Sequence, residues 1–473
     1  MPRRAPAGTL VVGFGVTGQA VAAALVRRGL PVVAVDDRPS AVLRSAAAEL
    51  GVVLHEPGGG AALGDLVGAA AEVHPAPGLA HHHPVFAAAA AAGVPVRSEL
   101  DIAARFDTRP VVAVTGTDGK TTVTVLAAAV LEASGVRAVV AGNNDVPLVR
   151  AIDDPAAEVF VVEASSFRLE RTERFTPTAA CWLNLAPDHL DVHADLAAYE
   201  AAKARIWRDL GPDATAVGNA EDPIVARHLA ATGAGTRWTY SAVAGAATDW
   251  RVERGHLVGP GWGAFAAVAD LPRHFEHDLA NTLAAAAVTA PVGATAAGAA
   301  AAARAFRGLP HRLALVADAG GVRWYDDSKA TTPHAAVNDV AAVAAAGRRV
   351  VLVAGGRSKG VDLATLGVLA PAVRAVVAIG EAGDEVAAAF AGARPTAVVG
   401  SMAAAVEVAG AAAEPGDAVV LAPACASFDW YANYAERGDD FAAHVRAHLR
   451  LARSDVDVDI DVDPALDTDC ELA

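Results

Sequence analysis

The chain has 473 residues, 53% of them hydrophobic, with 38 basic against 54 acidic side chains and a formal net charge of -16. That length suggests about three domains of roughly 150 residues, and the acidic balance argues against a general nucleic-acid binder. Alanine inflates the apolar content: the Ala-rich stretches at 87–92 and 297–303 are short and flanked by Gly, Pro or Arg, so no run of about 20 strongly apolar residues offers a membrane span. Cys181, Cys425 and Cys470 are too few and too scattered for a disulfide framework or a zinc site, so a cytoplasmic setting is expected.

Met1-Pro-Arg-Arg leads into Leu10-Val11-Val12, which reads as a strand opening a fold rather than a signal peptide. Valine-rich runs then recur at 32–35, 111–114, 159–162, 350–353, 376–379 and 419–421, separated by Ala-rich, helix-prone stretches. Continuous apolar strands alternating with helices imply parallel sheets covered on both faces, so the fold class is α/β. Glycine loops follow strands at Gly13 and Gly116, too far apart for one open sheet, and a third strand–helix series begins after Gly308-Leu-Pro-His-Arg312. Domain boundaries are expected near residues 105 and 310, giving 1–104, 105–310 and 311–453, each on a largely parallel sheet. The acidic stretch 454–473 is expected to be a disordered, solvated tail.

The first loop, Gly13-Phe-Gly15-Val-Thr-Gly18 with Asp36-Asp37 after the next strand, fits the Rossmann fingerprint. It predicts a diphosphate at a helix N-terminus and a carboxylate near a ribose-like hydroxyl. A nicotinamide cofactor and a UDP-sugar both offer those groups, so an oxidoreductase is the rival reading. The run His81-His82-His83 reads as a solvated loop rather than a metal site.

The strongest motif is Val111-Val-Ala-Val-Thr-Gly116-Thr117-Asp118-Gly119-Lys120-Thr121-Thr122. A buried strand, a Gly-rich turn and a following helix aim backbone N–H groups at phosphates. Lys120 suits the β/γ-phosphates and the Thr121 hydroxyl suits Mg²⁺. Val114 occupies the place of the first glycine in the general P-loop pattern. Downstream come Glu163-Ala-Ser165-Ser166-Phe167, then Asn184-Leu-Ala-Pro-Asp188-His189-Leu-Asp191, then Tyr199-Glu-Ala-Ala-Lys203. An acid at a strand end beside a phosphate loop is a reasonable Mg²⁺ ligand, which singles out Glu163, with His189 beside it. The last third holds Asp327-Ser328-Lys329-Ala-Thr331, Gly355-Gly356-Arg357-Ser358-Lys359-Gly360 and Pro423-Ala-Cys425-Ala-Ser427-Phe428. Each follows an apolar strand, and such loops gather at the C-terminal edge of a parallel sheet, where ligands bind. Lys329, Lys359, Thr331 and Ser427 suit an anionic amino acid. Cys425 reads as a small buried thiol.

In this order, with Leu309-Pro-His-Arg312, these motifs resemble the Mur ligases, and within them the glutamate-adding branch, over roughly residues 9 to 447. The resemblance implies a three-domain enzyme of peptidoglycan precursor synthesis: a Rossmann-like UDP-sugar domain, a P-loop ATPase domain and a Rossmann-like amino-acid domain. It implies ATP, two Mg²⁺ ions, and the substrates UDP-N-acetylmuramoyl-L-alanine and glutamate, joined through an acyl phosphate. A monomer without nucleic-acid or membrane partners is implied as well. The phosphate loop, Gly116 to Thr122, would hold ATP, with Asn281, Arg312, Asp327 and Lys329 completing the nucleotide contacts. Thr121, Glu163, His189 and a carbamylated Lys203 would hold the metal. Lys120, His189, Lys203 and Arg312 would be the catalytic group. Val16, Thr17, Asp36 and Arg38 would take the uridine diphosphate, and Asn143 and Ser165 the rest of the UDP-sugar. Thr331, Lys359, Ser427, Phe428 and Tyr434 would surround glutamate.

The sequence departs from the family pattern at several places. Asp118 stands where asparagine is usual, Arg168 where glutamine is usual, and Asp278 replaces an asparagine in His277-Asp278-x-x-Asn281. Ala76-Pro-Gly78 lacks a common serine, and Phe428 and Tyr434 differ from common residues at the amino-acid site. The same chemistry with L-glutamate, as in a sister group, is the near alternative. An NAD-dependent oxidoreductase is the remote alternative, since it leaves the Gly116 loop and Lys203 unexplained; a non-catalytic protein keeping the fold is disfavoured by the joint presence of Lys120, Glu163, His189 and Lys203.

Overall fold

A computed structural model describes residues 8–57, 60–143, 146–189, 192–358 and 360–451. Lys359 and the acidic tail 454–473 lie outside the described residues. The chain forms two compact units, residues 1–306 and 307–473, and three sheets among the described residues.

In the first unit, β1 (Thr9–Val12), β2 (Val32–Val35), β3 (Val53–His55) and β4 (Glu72–Pro75) form a parallel sheet in the order β3-β2-β1-β4. Every residue of β1 is buried, as expected of a strand covered on both faces. The second sheet comprises β5 (Val111–Thr115), β6 (Ala138–Gly142), β7 (Val159–Glu163), β8 (Ala179–Trp182), β9 (Thr215–Asn219), β10 (Thr236–Ser241), β11 (Trp250–Glu253), β12 (His256–Gly259) and β13 (Gly263–Ala267). Its order is β13-β12-β11-β10-β9-β8-β5-β7-β6, parallel from β6 to β11 and antiparallel beyond. β5 is an interior strand flanked by β7 and β8, and the phosphate loop follows it at the sheet's C-terminal edge.

The alanine content becomes intelligible here. In the helix Glu276–Thr289, Ala284 to Ala287 are all 0% exposed, packed with Leu126, Leu131 and Trp250 on one face of the sheet. On the other face Phe160, Trp182 and Trp207 make the core. The alanines thus build tight helix–sheet contacts in a folded core. No described helix is long and apolar enough to cross a membrane.

The second unit carries β14 (Ala314–Ala319), β15 (Val322–Asp326), β16 (Val350–Gly355), β17 (Val373–Ile379), β18 (Thr396–Val398) and β19 (Ala418–Leu421), in the order β14-β15-β19-β16-β17-β18. All pairs are parallel except β14 with β15. Helix starts follow local capping rules: Thr332 caps Pro333–Ala345 through Ala335 N, with Pro333 at the first turn. The seven valine-rich runs all lie in or overlap strands of these sheets. The edge strand β14 has no fully buried residue, because an edge strand need bury only part of its side chains.

Candidate functional site

The phosphate loop is held by its neighbours. Gly119, at φ +80, starts the 14-residue helix Lys120–Ala133, whose N-terminal amides and dipole favour an anion. A Cβ at Gly119 would sit 3.0 Å from Asn281 Oδ1, so Asn281 packs directly against the loop. Asn184, quoted in a motif but assigned no role from sequence, splints the turn. Its Oδ1 accepts from the backbone N–H of Thr117 and of Asp118, each at 2.9 Å. Thr117 Oγ1 donates to Ala186 O at 3.2 Å and lies 3.3 Å from Tyr199 Oη. Lys120 Nζ donates to the carbonyls of Gly116 at 2.9 Å and Thr117 at 2.7 Å.

A second lysine reaches the same carbonyl. Asp195 caps the helix Leu196–Arg208 through Ala198 N at 2.8 Å, and that helix sends Lys203 inward. Lys203 is 1% exposed, and its Nζ donates to Gly116 O at 2.5 Å. Burial, reinforced by the Lys120 charge, drives its ammonium well below the usual lysine range, against the opposing pull of Asp188, Asp118 and Glu163. Burial thus favours the unprotonated amine, the form that is nucleophilic toward CO₂, and the resulting carbamate would be an anion.

Glu163 ends β7 and is 3% exposed. Its Oε1 accepts from Asn143 Nδ2 at 3.1 Å, while Oε2 is buried without a hydrogen-bond partner. Gly142 makes this possible: at φ +104 it lets the chain pass so close to Glu163 that any Cβ would strike the Glu163 backbone. His189 has φ +54, and its Nε2 is 3.3 Å from Asp188 Oδ2. Phe167 lies against its ring at 4.9 Å. Thr121 is half-buried at the helix start. An orphaned carboxylate oxygen on the strand beside the one that leads into the phosphate loop fits a hard divalent cation.

The first glycine loop uses its acid structurally. Asp36 Oδ2 accepts from Phe14 N at 2.9 Å and Oδ1 from Arg38 N at 3.0 Å, so the carboxylate braces the loop. Val16 is 63% exposed at the start of the helix Val16–Arg27, and Arg38 is exposed. Thr17 is buried and meets a residue that sequence had marked only as a departure. Arg168 Nη2 donates to Thr17 Oγ1 at 3.4 Å, Nη1 to Asn143 Oδ1 at 2.9 Å and Nε to Glu99 Oε1 at 3.2 Å. Its backbone N–H donates to Ser165 Oγ at 3.4 Å. Thr17, Asn143 and Ser165, three of the expected UDP-sugar contacts, therefore converge on one buried arginine. Asp278, the other departure, is 7% exposed and accepts from Arg273 Nε at 3.1 Å.

In the second unit the loops after β15, β16 and β19 meet around Arg437, which sequence gave no sign of. It is 1% exposed and donates to Ser328 Oγ at 2.9 Å, Ser328 O at 2.8 Å and Cys425 O at 3.1 Å. Burial pushes its guanidinium down to about 10. Lys329 Nζ lies 3.8 Å from the Tyr434 ring centroid, a cation–π contact. Asp327 is 2% exposed, and its Oδ1 accepts from Leu313 N at 3.1 Å. Burial and the facing Asp339 raise its carboxyl well above the usual range. Ser427 is buried and Phe428 is 61% exposed. Thr331 and Arg312 are half-buried, and Cys425 is buried as expected.

Comparison with known proteins gives one answer along the chain. Residues 7–98 match the Mur ligase MurD-like, N-terminal domain, residues 114–289 the Mur ligase middle domain, and residues 311–425 the Mur ligase, glutamate ligase domain. A UDP-N-acetylmuramoylalanine–D-glutamate ligase of Frankia casuarinae is 45% identical, covering 93% of each chain. A protein of the same name from Nitrosococcus oceani is 37% identical, covering 94% of this chain and 97% of its own. Among solved structures, the UDP-N-acetylmuramate-alanine ligase of Thermotoga maritima shares the fold with a TM-score of 0.56 at 18% identity, covering 93% of this chain and 99% of its own. With three successive domain matches and near-full-length identity of this order, the chain belongs to the Mur ligase family.

Proposed function

We propose that this chain joins D-glutamate to UDP-N-acetylmuramoyl-L-alanine at the expense of ATP, in cytoplasmic peptidoglycan precursor synthesis. The γ-phosphoryl group of ATP passes to the substrate carboxylate, giving an acyl phosphate and ADP. The glutamate amine attacks the acyl carbon, and the tetrahedral intermediate expels phosphate to leave the amide. A free carboxylate is a poor electrophile and phosphate a good leaving group, so the protein's task is positioning and charge neutralisation.

The observation that carries this reading is the meeting of Lys120 and Lys203 on the Gly116 carbonyl, with Glu163 acting on Lys203 and holding a buried, unpartnered oxygen. Gly116 to Thr122 grip the triphosphate, with Asn281 against Gly119. Thr121, Glu163, His189 and Lys203 as its carbamate hold Mg²⁺, which when bound neutralises phosphate charge. The depressed basicity of Lys203 favours the carbamate: CO₂ adds to the free amine, and one proton is released. Val16, Thr17, Asp36, Arg38, Asn143 and Ser165 serve the UDP-sugar, within residues 1–104 and the neighbouring edge of 105–310. In residues 311–453, Thr331, Lys359, Ser427, Phe428 and Tyr434 serve glutamate, while Arg312, Asp327 and Lys329 keep the nucleotide roles the resemblance implies. The enzyme acts as a monomer.

The test is phosphate release by the purified full-length chain with ATP, Mg²⁺ and UDP-N-acetylmuramoyl-L-alanine, run separately with D- and L-glutamate. Release with D-glutamate alone is expected. Release with L-glutamate alone reverses the stereochemistry, and release with neither isomer ends the ligase reading.

A further inference from the structure

The His81-His82-His83 run was expected to be a solvated loop, yet one of its histidines joins a cluster outside the phosphate site. His81 Nε2 lies 3.2 Å from Glu170 Oε2, and the rings of His81 and His193 are 5.6 Å apart. One ligand atom from each of His81, Glu170 and His193 lies within 4.8 Å of the others. His193 is 1% exposed. Its Nε2 is 3.0 Å from Ser166 Oγ, which leaves Nδ1 buried with no hydrogen-bond partner. Glu170 Oε2 is likewise buried without a hydrogen bond. His83 is engaged elsewhere: its Nδ1 accepts from Val85 N at 3.2 Å and its Nε2 faces Asp37 at 3.1 Å.

An ordinary ion pair accounts for His81 and Glu170 but leaves the buried nitrogen of His193 unexplained. Burying such atoms unpaired is unfavourable, and native structures usually supply a partner. We propose that His81, Glu170 and His193 form a binding site for one zinc-class divalent cation. Two imidazole nitrogens and one carboxylate oxygen suit Zn²⁺ and its neighbours, whereas Mg²⁺ prefers oxygen ligands and gives up water reluctantly. Three protein ligands leave a fourth position for water. Ser166 supplies the outer hydrogen bond that fixes the ring and tautomer of a ligating histidine. The ion joins the segment ahead of the helix Pro84–Ala92 to the turn after Ser166–Leu169 and to the stretch ahead of Leu196–Arg208. It therefore clips the loop that follows the first sheet's last strand to two loops of the central sheet.

Full-length protein is titrated with Co²⁺ and Zn²⁺ in excess Mg²⁺, which occupies hard-cation sites. Bound metal is counted after dialysis, and Co²⁺ is followed by its visible absorption. One equivalent per chain is expected, with affinity at least about tenfold lower in His81→Ala and in Glu170→Gln. His82→Ala, a neighbour outside the cluster, should bind as the unaltered chain does. Circular dichroism checks that each variant is folded; His81 is exposed, so its loss should spare the fold. No binding, equal binding by His81→Ala, or equal loss in His82→Ala overturns the site, the second outcome marking an adventitious ion only.

Discussion

Arg168 and Glu99 form an ion pair at 3.2 Å with side chains only 7% and 0% exposed, joining the short helix Ser166–Leu169 to the helix Glu99–Phe106. Removing one partner of a buried pair leaves the other charge without compensation. Arg168→Ala should therefore lower stability by about 3–5 kcal/mol. Urea denaturation of the full chain measures it. Arg168→Gln should also lose the Glu99 ion pair. A midpoint unchanged in both variants would show that the pair contributes nothing to the fold.

Lys203 links stability to pH in a defined direction. Its folded-state value lies well below 10.5, so in that interval the unfolded chain binds the proton that the folded chain rejects. Stability contributed by this group therefore rises with pH and levels off above about 10.5. Lys203→Met removes that dependence and should be the more stable protein at neutral pH in CO₂-free buffer, the gap closing as pH rises. Parallel curves for the two proteins would contradict the burial of the amine. In the phosphate-release assay Lys203→Ala should be nearly inactive, and full activity would remove Lys203 from the catalytic group.

Gly119→Ala places a methyl where φ is +80 and Asn281 Oδ1 is 3.0 Å away. The left-handed conformation alone costs an L-residue about 1–2 kcal/mol. ATP affinity should fall at least about tenfold while the urea midpoint changes modestly, since the loop is strained where it meets phosphate. Equilibrium binding of a fluorescent ATP analogue is the readout, and unchanged affinity would mean the loop does not grip the nucleotide.

In the second unit, His311 Nδ1 is 2.6 Å from Asp326 Oδ2, and that hydrogen bond raises the imidazole above its ordinary 6.5 despite burial. Protonated His311 is favoured by folding. The contribution is complete below 6.5 and is lost as pH rises through the raised folded value. Stability should fall over that window, and Asp326→Asn should flatten the profile. Gly438→Ala should destabilise at every pH, because its methyl would overlap both His311 Nδ1 and the Asp326 carboxylate. An unaltered midpoint in Gly438→Ala would show that the packing there is loose.

Local sequence determined the strands and the two glycine loops, since continuous valine runs and residues such as Gly119 and Lys120 have few alternative uses. It also supplied the ordered motifs that match the family. It did not determine that Asp36 would brace its own loop, because a carboxylate near a fingerprint is equally placed to meet a ribose. The positions of Arg168, Arg437 and His81 came only from tertiary structure. Each makes its decisive contacts with residues distant in sequence: Glu99 and Thr17, Ser328 and Cys425, Glu170 and His193. A charged side chain in a sequence is read as solvated by default. Only the packing of separate loops into one desolvated volume turns it into a buried partner, and that convergence has no periodicity from which to read it.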